Sequence, residues 1–285
     1  MNPDLFRRDL ERKPEVLAAF ANQLATNDPW AATPLVPDSS IVLVGMGSSH
    51  YANAVAAARL RARGVHAVAE WASADLLPAV EESTVVVAVS ASGGSEETLD
   101  AVRRYQGRCP VVGVTNVEGS PITAVADSVV LLQAEAEESG VACRSFQHTA
   151  ALLLALEQSL LGGIDAAGAV RRAAEASADL LEGCDRWLPR FRDLAIGPDG
   201  TSFVAPARRV STAQQSALMI RETPRLPAIA CETGDWSHVD VYLTKTTDYR
   251  LVLHAGSRWE PTSCAGCGSA GRRCWRWAPT SPTQH

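Results

Sequence analysis

The stretch that decides the fold is TVVVAVSASGGSEETLDAVRR, residues 84–104. It opens on an uninterrupted run rich in valine, residues 85–89, which is typical of a strand buried on both faces of a parallel sheet. A helix is predicted to follow, because Ser95 suits an N-cap, two glutamates fall in the first turn and Leu99 begins an apolar stripe. The pattern therefore predicts consecutive strand, loop and helix of an α/β protein.

The loop between them, SASGGS at 90–95, combines two glycines with three serines. Glycine lets the backbone turn tightly, and free N–H groups at the start of a helix point outward, so the loop suits a phosphate or another anion. It has no lysine, unlike a nucleotide P-loop. The alternative is an ordinary strand-to-helix turn whose serines only cap the helix.

A second loop has the same design. The apolar run IVLV at 41–44 leads into GMGSSH at 45–50, and an alanine-rich helix is predicted over 51–63. The loop lacks the third glycine of a dinucleotide fingerprint. Two hydroxyl-rich loops at the carboxyl ends of strands in one sheet therefore favour a small phosphate site over a nicotinamide site.

Together, GMGSS at 45–49 and the S-x-S-G-x-S pattern at 90–95 resemble the sugar isomerase (SIS) domain, as found in the isomerase half of glucosamine-6-phosphate synthase. The resemblance extends over roughly residues 5–255. It implies two tandem α/β copies, each a parallel sheet flanked by helices in a flavodoxin-like three-layer arrangement, with the second copy incomplete. The implied ligand is a phosphorylated hexose or hexosamine, with no cofactor and no metal. The implied sugar-phosphate-binding residues are Gly47, Ser48, Ser49, Ser90, Ser92, Gly93 and Ser95.

A further loop, 139–146, lies where SIS proteins close over the sugar. By resemblance, Val141 and Cys143 would touch the sugar, although the segment departs from the family's commoner GVASTK. The acidic run at 135–138 just before it has a simpler interpretation as a solvated surface.

Two candidate catalytic residues follow from the same resemblance. Glu222 falls where SIS isomerases place the carboxylate that moves a proton between sugar carbons 1 and 2, and His238 falls where the family has the histidine of ring opening. A carboxylate suits enolisation and a histidine suits proton exchange with ring oxygens. The alternative to these catalytic roles is that Glu222 is only an exposed helix residue and His238 only a loop residue. Met219 replaces a lysine of the synthase, and Ala91 replaces a glutamine of the phosphate loop.

Composition narrows the class of protein. The chain has 285 residues, 46% hydrophobic and 20% charged, with a net charge of −6, which argues against a general nucleic-acid partner. No apolar run reaches membrane length, and the first residues do not resemble a signal peptide, so we expect a cytoplasmic protein with no membrane partner. Four singly placed cysteines, at 109, 143, 184 and 231, are expected to be reduced.

Four segments are predicted: a helical leader over 1–33, a sugar-phosphate-binding SIS domain over 34–165, a partial second SIS domain over 166–260, and an irregular tail over 261–285. Pro14 interrupts the leader helix, and one long helical stretch is predicted over 166–190. In the second copy PARRV, residues 206–210, replaces the glycine-bearing loop, so this copy is expected to be unfit to hold phosphate.

The tail has an unusual composition, with no leucine, isoleucine or valine after Leu253. We expect it to build no core and to be out of register, from a frameshift or a truncation. Cys264, Cys267 and Cys274 leave a zinc site as a weaker alternative, and the tryptophan and arginine residues leave nucleic-acid contact as another.

The sequence thus predicts a phosphosugar-binding protein that is an aldose-ketose isomerase or an amino-sugar phosphate deaminase or deglycase. A cysteine after Met1, which the glutaminase half of the synthase would carry, is absent from this sequence. The competing interpretation is a non-catalytic sugar-phosphate sensor or an inactive truncated homologue. A homodimer is implied by resemblance alone.

Overall fold

The computed structural model describes residues 2–260 and 273–277. Contacts between Cα atoms divide the chain into two compact units, Met1–Leu181 and Glu182–His285. Each unit has its own sheet, and every strand pairing in both sheets is parallel. The predicted α/β class, with parallel sheets flanked by helices, is therefore confirmed.

The first unit contains a five-stranded sheet of order β2-β1-β3-β4-β5. A 3₁₀ turn, Pro121–Ala124, precedes its last strand. The elements in chain order are α1 (Pro3–Glu11), α2 (Lys13–Thr26), β1 (Ser40–Gly45), α3 (Gly47–Ala62), β2 (Ala67–Trp71), β3 (Thr84–Val89), α4 (Glu96–Tyr105), β4 (Val111–Thr115), β5 (Ser128–Leu131), α5 (Arg144–Leu161) and α6 (Ala166–Glu182).

The two central strands explain why this sheet lies between layers. Every residue of β1 and β3 is buried, as the apolar runs predicted. Side chains alternate across a strand, so Val85 and Val87 join the core beneath α2, α3 and α5, whereas Val86 and Ala88 join a separate core beneath α4. Burial on both faces is the reason that these runs show no polar alternation.

The leader consists of two helices that break at Arg12, two residues before the predicted position at Pro14. α1 ends at Glu11 and α2 begins at Lys13, with Pro14 in its first turn, where the missing N–H of proline is tolerated. Leu17 and Phe20 bury the inner face of α2 in the first-unit core.

The second unit contains a four-stranded sheet of order β7-β6-β8-β9. The helix predicted over 166–190 is wrong in one respect, because it breaks at Gly183, a poor helix former, and a new helix begins at Cys184. The elements are α7 (Cys184–Ala195), β6 (Thr201–Ala205), a 3₁₀ turn (Ala207–Arg209), α8 (Val210–Glu222), β7 (Ala228–Glu232), α9 (Thr233–Trp236), a second 3₁₀ turn (Asp240–Lys245), β8 (Arg250–His254) and β9 (Arg273–Trp277).

Strand β9 corrects the expectation that nothing after Leu253 builds a core. It pairs in parallel with β8, and its Trp275 and Trp277 rings lie 5.5 and 6.4 Å from the ring of Phe191 on α7. Tryptophan supplies the apolar surface that the prediction sought only in aliphatic residues. The other tail residues, among them Cys264 and Cys267, lie outside the described residues. The expectation that the tail is out of register, from a frameshift or a truncation, therefore stays a prediction.

Within residues 2–260 and 273–277, none of the helices combines the length and the apolar character that a bilayer crossing requires.

Candidate functional site

A crevice opens at the carboxyl edge of the first sheet, between β1 and β3. The chain passes from β1 to β2 on one side and returns to β3 on the other, so the loops after β1 and β3 diverge. Parallel sheets bind ligands at such switch points. The crevice has a volume of about 480 Å³, within the usual range for small-molecule sites. Six hydroxyl groups line it, those of Ser49, Ser90, Ser92, Ser95, Thr98 and Ser145.

The serine loop after β3 is held in shape by its own backbone. The N–H of Ser90 donates to the Val114 carbonyl at 2.9 Å, and the N–H of Gly93 donates to the Ser90 carbonyl at 2.9 Å. Gly93 has a φ of +66°, and a Cβ on it would overlap the Ser120 hydroxyl. Only glycine fits this position, so Gly93 determines the shape of the loop. Gly93 itself, a predicted sugar-phosphate-binding residue, is not among the residues that line the crevice.

Replacing Gly93 with alanine is therefore expected to destabilise the fold by roughly 2–4 kcal/mol, from left-handed strain and the overlap together. Gly94 is the matched control, because a Cβ there meets no atom within 4 Å. Urea unfolding of both variants checks this prediction: Gly94→Ala should stay near the parent chain, and equal stabilities of the two variants would contradict it.

Ser95 caps α4 as predicted. Its Oγ accepts from the Thr98 backbone N–H at 3.4 Å and donates to Glu97 Oε2 at 2.9 Å. The backbone N–H of Glu97 and the Ser95 hydroxyl hold the pKa of the Glu97 carboxyl below its usual value. A phosphate that takes the Ser95 hydroxyl as a donor must therefore replace Glu97 as its acceptor.

The loop after β1 contributes a side chain and a helix start. Ser49 lines the crevice, whereas Gly47 and Ser48 lie in the first turn of α3 and do not line it. The first N–H groups of a helix have no partner within the helix and suit an anion, although the N–H of Ser49 itself donates to the Met46 carbonyl at 3.1 Å.

Residues 136–145 form a wall of the crevice, and one carboxylate organises it. Glu137 Oε1 accepts from the backbone N–H groups of Cys143 and Arg144 at 2.7 and 2.6 Å, and its Oε2 accepts from the Ser145 hydroxyl at 2.6 Å. Glu137 thus caps α5, which the interpretation of 135–138 as a solvated run missed. No local signal marked this cap, because Glu137 lies seven residues before the first residue of α5.

Val141 and Cys143 lie within this wall. Both side chains are buried, and the residues that line the crevice here are Gly140 and Ala142. Burial raises the pKa of the Cys143 thiol to about 12, so it is a neutral thiol at physiological pH.

The leader fastens the wall from behind. The buried Asp9 carboxylate accepts from the N–H groups of Glu138 and Ser139 at 3.2 and 2.9 Å, and it pairs with the fully buried Arg144 at 3.3 Å. The Arg144 guanidinium also donates to the carbonyls of Ala134 and Ala136. These bonds fix the wall to α1.

In the second unit, Glu222 is the last residue of α8. Its side chain reaches the surface, yet partial desolvation raises the pKa of the carboxyl, which the neighbouring Arg221 opposes. A carboxylate with a raised pKa is a stronger base, as proton transfer at carbon requires.

His238 follows α9 and is exposed. The Glu232 side chain caps α9 by accepting from the N–H groups of Gly234 and Asp235 at 2.6 and 3.1 Å. The fully buried Trp236 donates its indole N–H to the Tyr249 hydroxyl at 2.7 Å. The segment that carries His238 is therefore held in place by the Glu232 cap of α9 and by the buried Trp236 ring.

In the parts of the chain that the structure describes, His, Cys, Asp and Glu side chains form no group of three or more that could hold a metal ion.

Comparison with known proteins agrees with this fold. The family model described as the SIS domain matches residues 35–160, which include both serine loops and the wall. This stretch of the chain is therefore an SIS domain.

Relatives of known sequence are longer than this chain. An isomerizing glutamine–fructose-6-phosphate aminotransferase of Aeropyrum pernix is 29% identical over 275 residues, which is 88% of this chain and 45% of that protein. The corresponding enzyme of Methanosarcina acetivorans is 38% identical over 87 residues, 30% of this chain and 14% of that protein. The chain spans less than half the length of the curated relatives it matches.

Solved structures share the fold at low sequence identity. The C-terminal domain of glucosamine-fructose-6-phosphate aminotransferase from Francisella tularensis has a TM-score of 0.71 at 16% identity, covering 97% of this chain and 85% of that one. A glucosamine-6-phosphate deaminase from Thermotoga maritima has a TM-score of 0.72 at 18% identity, covering 96% and 84%.

Proposed function

We propose that this chain binds a phosphorylated hexose or hexosamine in the crevice between β1 and β3. The observation that carries the proposal is the set of serine side chains that line the crevice at the switch point of the first sheet, beside the starts of α3 and α4. Ser49, Ser90, Ser92 and Ser95 would bind the phosphate. The serine hydroxyls are uncharged donors, and the dipoles at the N-termini of α3 and α4 supply the favourable electrostatic interaction with a phosphate dianion.

The catalytic part of the proposal is an aldose-ketose isomerase or an amino-sugar phosphate deaminase or deglycase. Glu222 would remove a proton from one sugar carbon and return it to the next, and His238 would exchange protons during ring opening. The raised pKa of Glu222 and the anchored segment that carries His238 support these roles. Enolisation of this kind moves only protons, and this step needs no cofactor.

A second candidate is a non-catalytic sugar-phosphate sensor. Met219 stands one turn before Glu222, where the synthase family has a lysine. A chain without that ammonium group keeps the phosphate crevice and loses positive charge near the reacting carbons. For either candidate we propose a cytoplasmic homodimer.

Thermal unfolding with ligand tests the binding proposal. Fructose 6-phosphate and glucosamine 6-phosphate at about 100 times their dissociation constants should stabilise the parent chain by about 2.7 kcal/mol, and more than inorganic phosphate does. Ser90→Ala/Ser92→Ala removes two hydrogen bonds to a charged group, each worth roughly 1.5–3 kcal/mol, so its affinity should fall by at least about 100-fold.

Ser177→Ala is the control for the serine variant. This residue belongs to the same unit but to α6, and its hydroxyl donates to the Ala173 carbonyl at 2.8 Å. The control should keep the ligand-induced shift. Equal shifts in the control and the double variant would remove the serine loop from the binding site, and no shift in the parent chain would overturn the proposal.

A further inference from the structure

The second sheet has a switch point of its own. In the order β7-β6-β8-β9, the chain runs from β6 outward to β7 and then returns to β8 on the other side of β6. The position between β6 and β8 is thus equivalent to the position between β1 and β3 in the first sheet. The loops that leave this edge are residues 206–209 and 255–260.

Two guanidinium groups converge at this edge. Arg208 Nη2 donates to the Gly256 carbonyl at 2.7 Å, and Arg209 Nη2 donates to the Ala255 carbonyl. A Cβ on Gly256 would lie 2.9 Å from Arg209 Nη2 and 3.1 Å from Arg208 Nη2, so both groups approach the same point. Gly256 is exposed, which leaves that point open to solvent.

The local charges do not balance. The nearby carboxylate is Glu260, whose Oε2 accepts from the Gly256 N–H at 2.9 Å while its Oε1 accepts from Arg276 at 2.6 Å. Among the described residues, the Glu260 carboxylate faces Arg209 and Arg276, and Arg208 adds a further positive charge beside Arg209. Burial first, and then the charge of Arg208, hold the pKa of Arg209 below its usual value, as expected for like charges held together.

Two buried nitrogen atoms lack hydrogen-bond partners among the described residues. They are Arg209 Nε and His254 Nε2, and His254 is the last residue of β8. Buried polar atoms are nearly always paired, so the unpartnered Arg209 Nε–H donor beside converging cations indicates a missing acceptor. His254 Nε2 serves as a second donor in the tautomer that carries its proton on that nitrogen. Burial, and then the charge of Arg209, lower the pKa of His254 to about 4, so the ring is neutral near pH 7.

We propose that Arg208, Arg209 and His254 form a second anion site, which takes a phosphate dianion either free or as the monoester of a small metabolite. Arginine matches phosphate oxygens through planar paired donors. The sequence-based expectation that this copy is unfit for phosphate considered only a glycine loop, and here arginine side chains supply the donors.

NMR titration of the full chain with inorganic phosphate tests this site. The Ser90→Ala/Ser92→Ala background removes the first-unit site, so failure of either proposal can be seen separately. The Gly256 backbone N–H and the His254 ring should shift with a saturable curve. Glycerol 3-phosphate is the second probe: tighter binding than inorganic phosphate identifies a monoester site, and equal or weaker binding identifies a site for free phosphate.

Two variants decide whether the arginines carry the binding. Arg208→Gln/Arg209→Gln should weaken both titrations at least tenfold, whereas Arg186→Gln/Arg190→Gln, which removes the same charge from exposed positions of α7, should change them less than twofold. Since Arg209 supports the end of β8, Arg208→Gln alone is a second variant at an exposed position and should weaken binding severalfold. Absence of a saturable shift, or equal weakening by the α7 control, would overturn the proposal.

Discussion

Replacing Glu222 with glutamine is expected to abolish turnover of the sugar phosphate and to leave its affinity nearly unchanged. Glutamine keeps the size of the side chain but cannot accept the proton from carbon, and loss of a positioned general base costs about 10²–10⁴-fold in rate. The measurement is kcat for interconversion of aldose and ketose phosphates and for ammonia release from glucosamine 6-phosphate, beside the Kd from thermal unfolding.

Glu182→Gln is the matched control, because Glu182 is an exposed last residue of α6 as Glu222 is of α8. It should keep the parent rate. A Glu222→Gln variant within tenfold of the parent chain would remove Glu222 from the mechanism. Tight binding with no turnover in the parent chain would identify the sensor.

The pH dependence of the rate has a defined direction. Desolvation raises the pKa of Glu222, and only the ionised carboxylate acts as a base. The rate should therefore fall as the pH drops through that raised value, at a higher pH than an ordinary glutamate would give.

Breaking the buried ion pair between Asp9 and Arg144 is expected to cause a large loss in the free energy of unfolding. Arg144→Met leaves the Asp9 carboxylate buried without its cation, and removal of one partner from a buried ion pair costs about 3–5 kcal/mol. Arg8→Ala is the control, since Arg8 forms an exposed pair with Glu138 and such pairs contribute about 0–1 kcal/mol. Urea unfolding midpoints measure both, and similar losses would contradict the prediction.

Low pH should destabilise the folded protein through the same ion pair, Asp9 and Arg144. Burial alone would raise the pKa of Asp9, but N–H donors from Ser139 and Glu138, with the charge of Arg144, outweigh it and lower the pKa. A lowered pKa means that the unfolded chain binds the proton first. The contribution of Asp9 is therefore complete above its ordinary value near 3.8 and is lost as the pH falls through the folded-state value.

Much of the first unit could be predicted from local pattern. The apolar runs at 41–44 and 85–89 become the two fully buried central strands, and Ser95 becomes the cap of α4. These features are readable because burial on both faces and helix capping each leave a mark within a few residues of sequence.

Other features depend on partners distant in the chain. Trp275 reaches a core only because β9 pairs with β8 and lies against α7, and Arg209 meets Gly256 across 47 positions of sequence. Glu137 caps α5 only because the chain between Glu137 and Arg144 folds back and brings the Arg144 N–H to the Glu137 carboxylate. No local periodicity records such contacts, so composition alone misjudged the part of the tail that forms β9.

The bond network between α1 and residues 134–145 joins the stability of the leader to that of the crevice wall. None of the described residues of α1 lines the crevice, yet the wall is held through Asp9 and Arg144. A ligand that favours the ordered wall must then also protect α1 from fraying, and fraying of α1 must weaken the ligand by the same free energy. Under the proposed function, changes in the first turns of the chain are therefore expected to change affinity in the crevice.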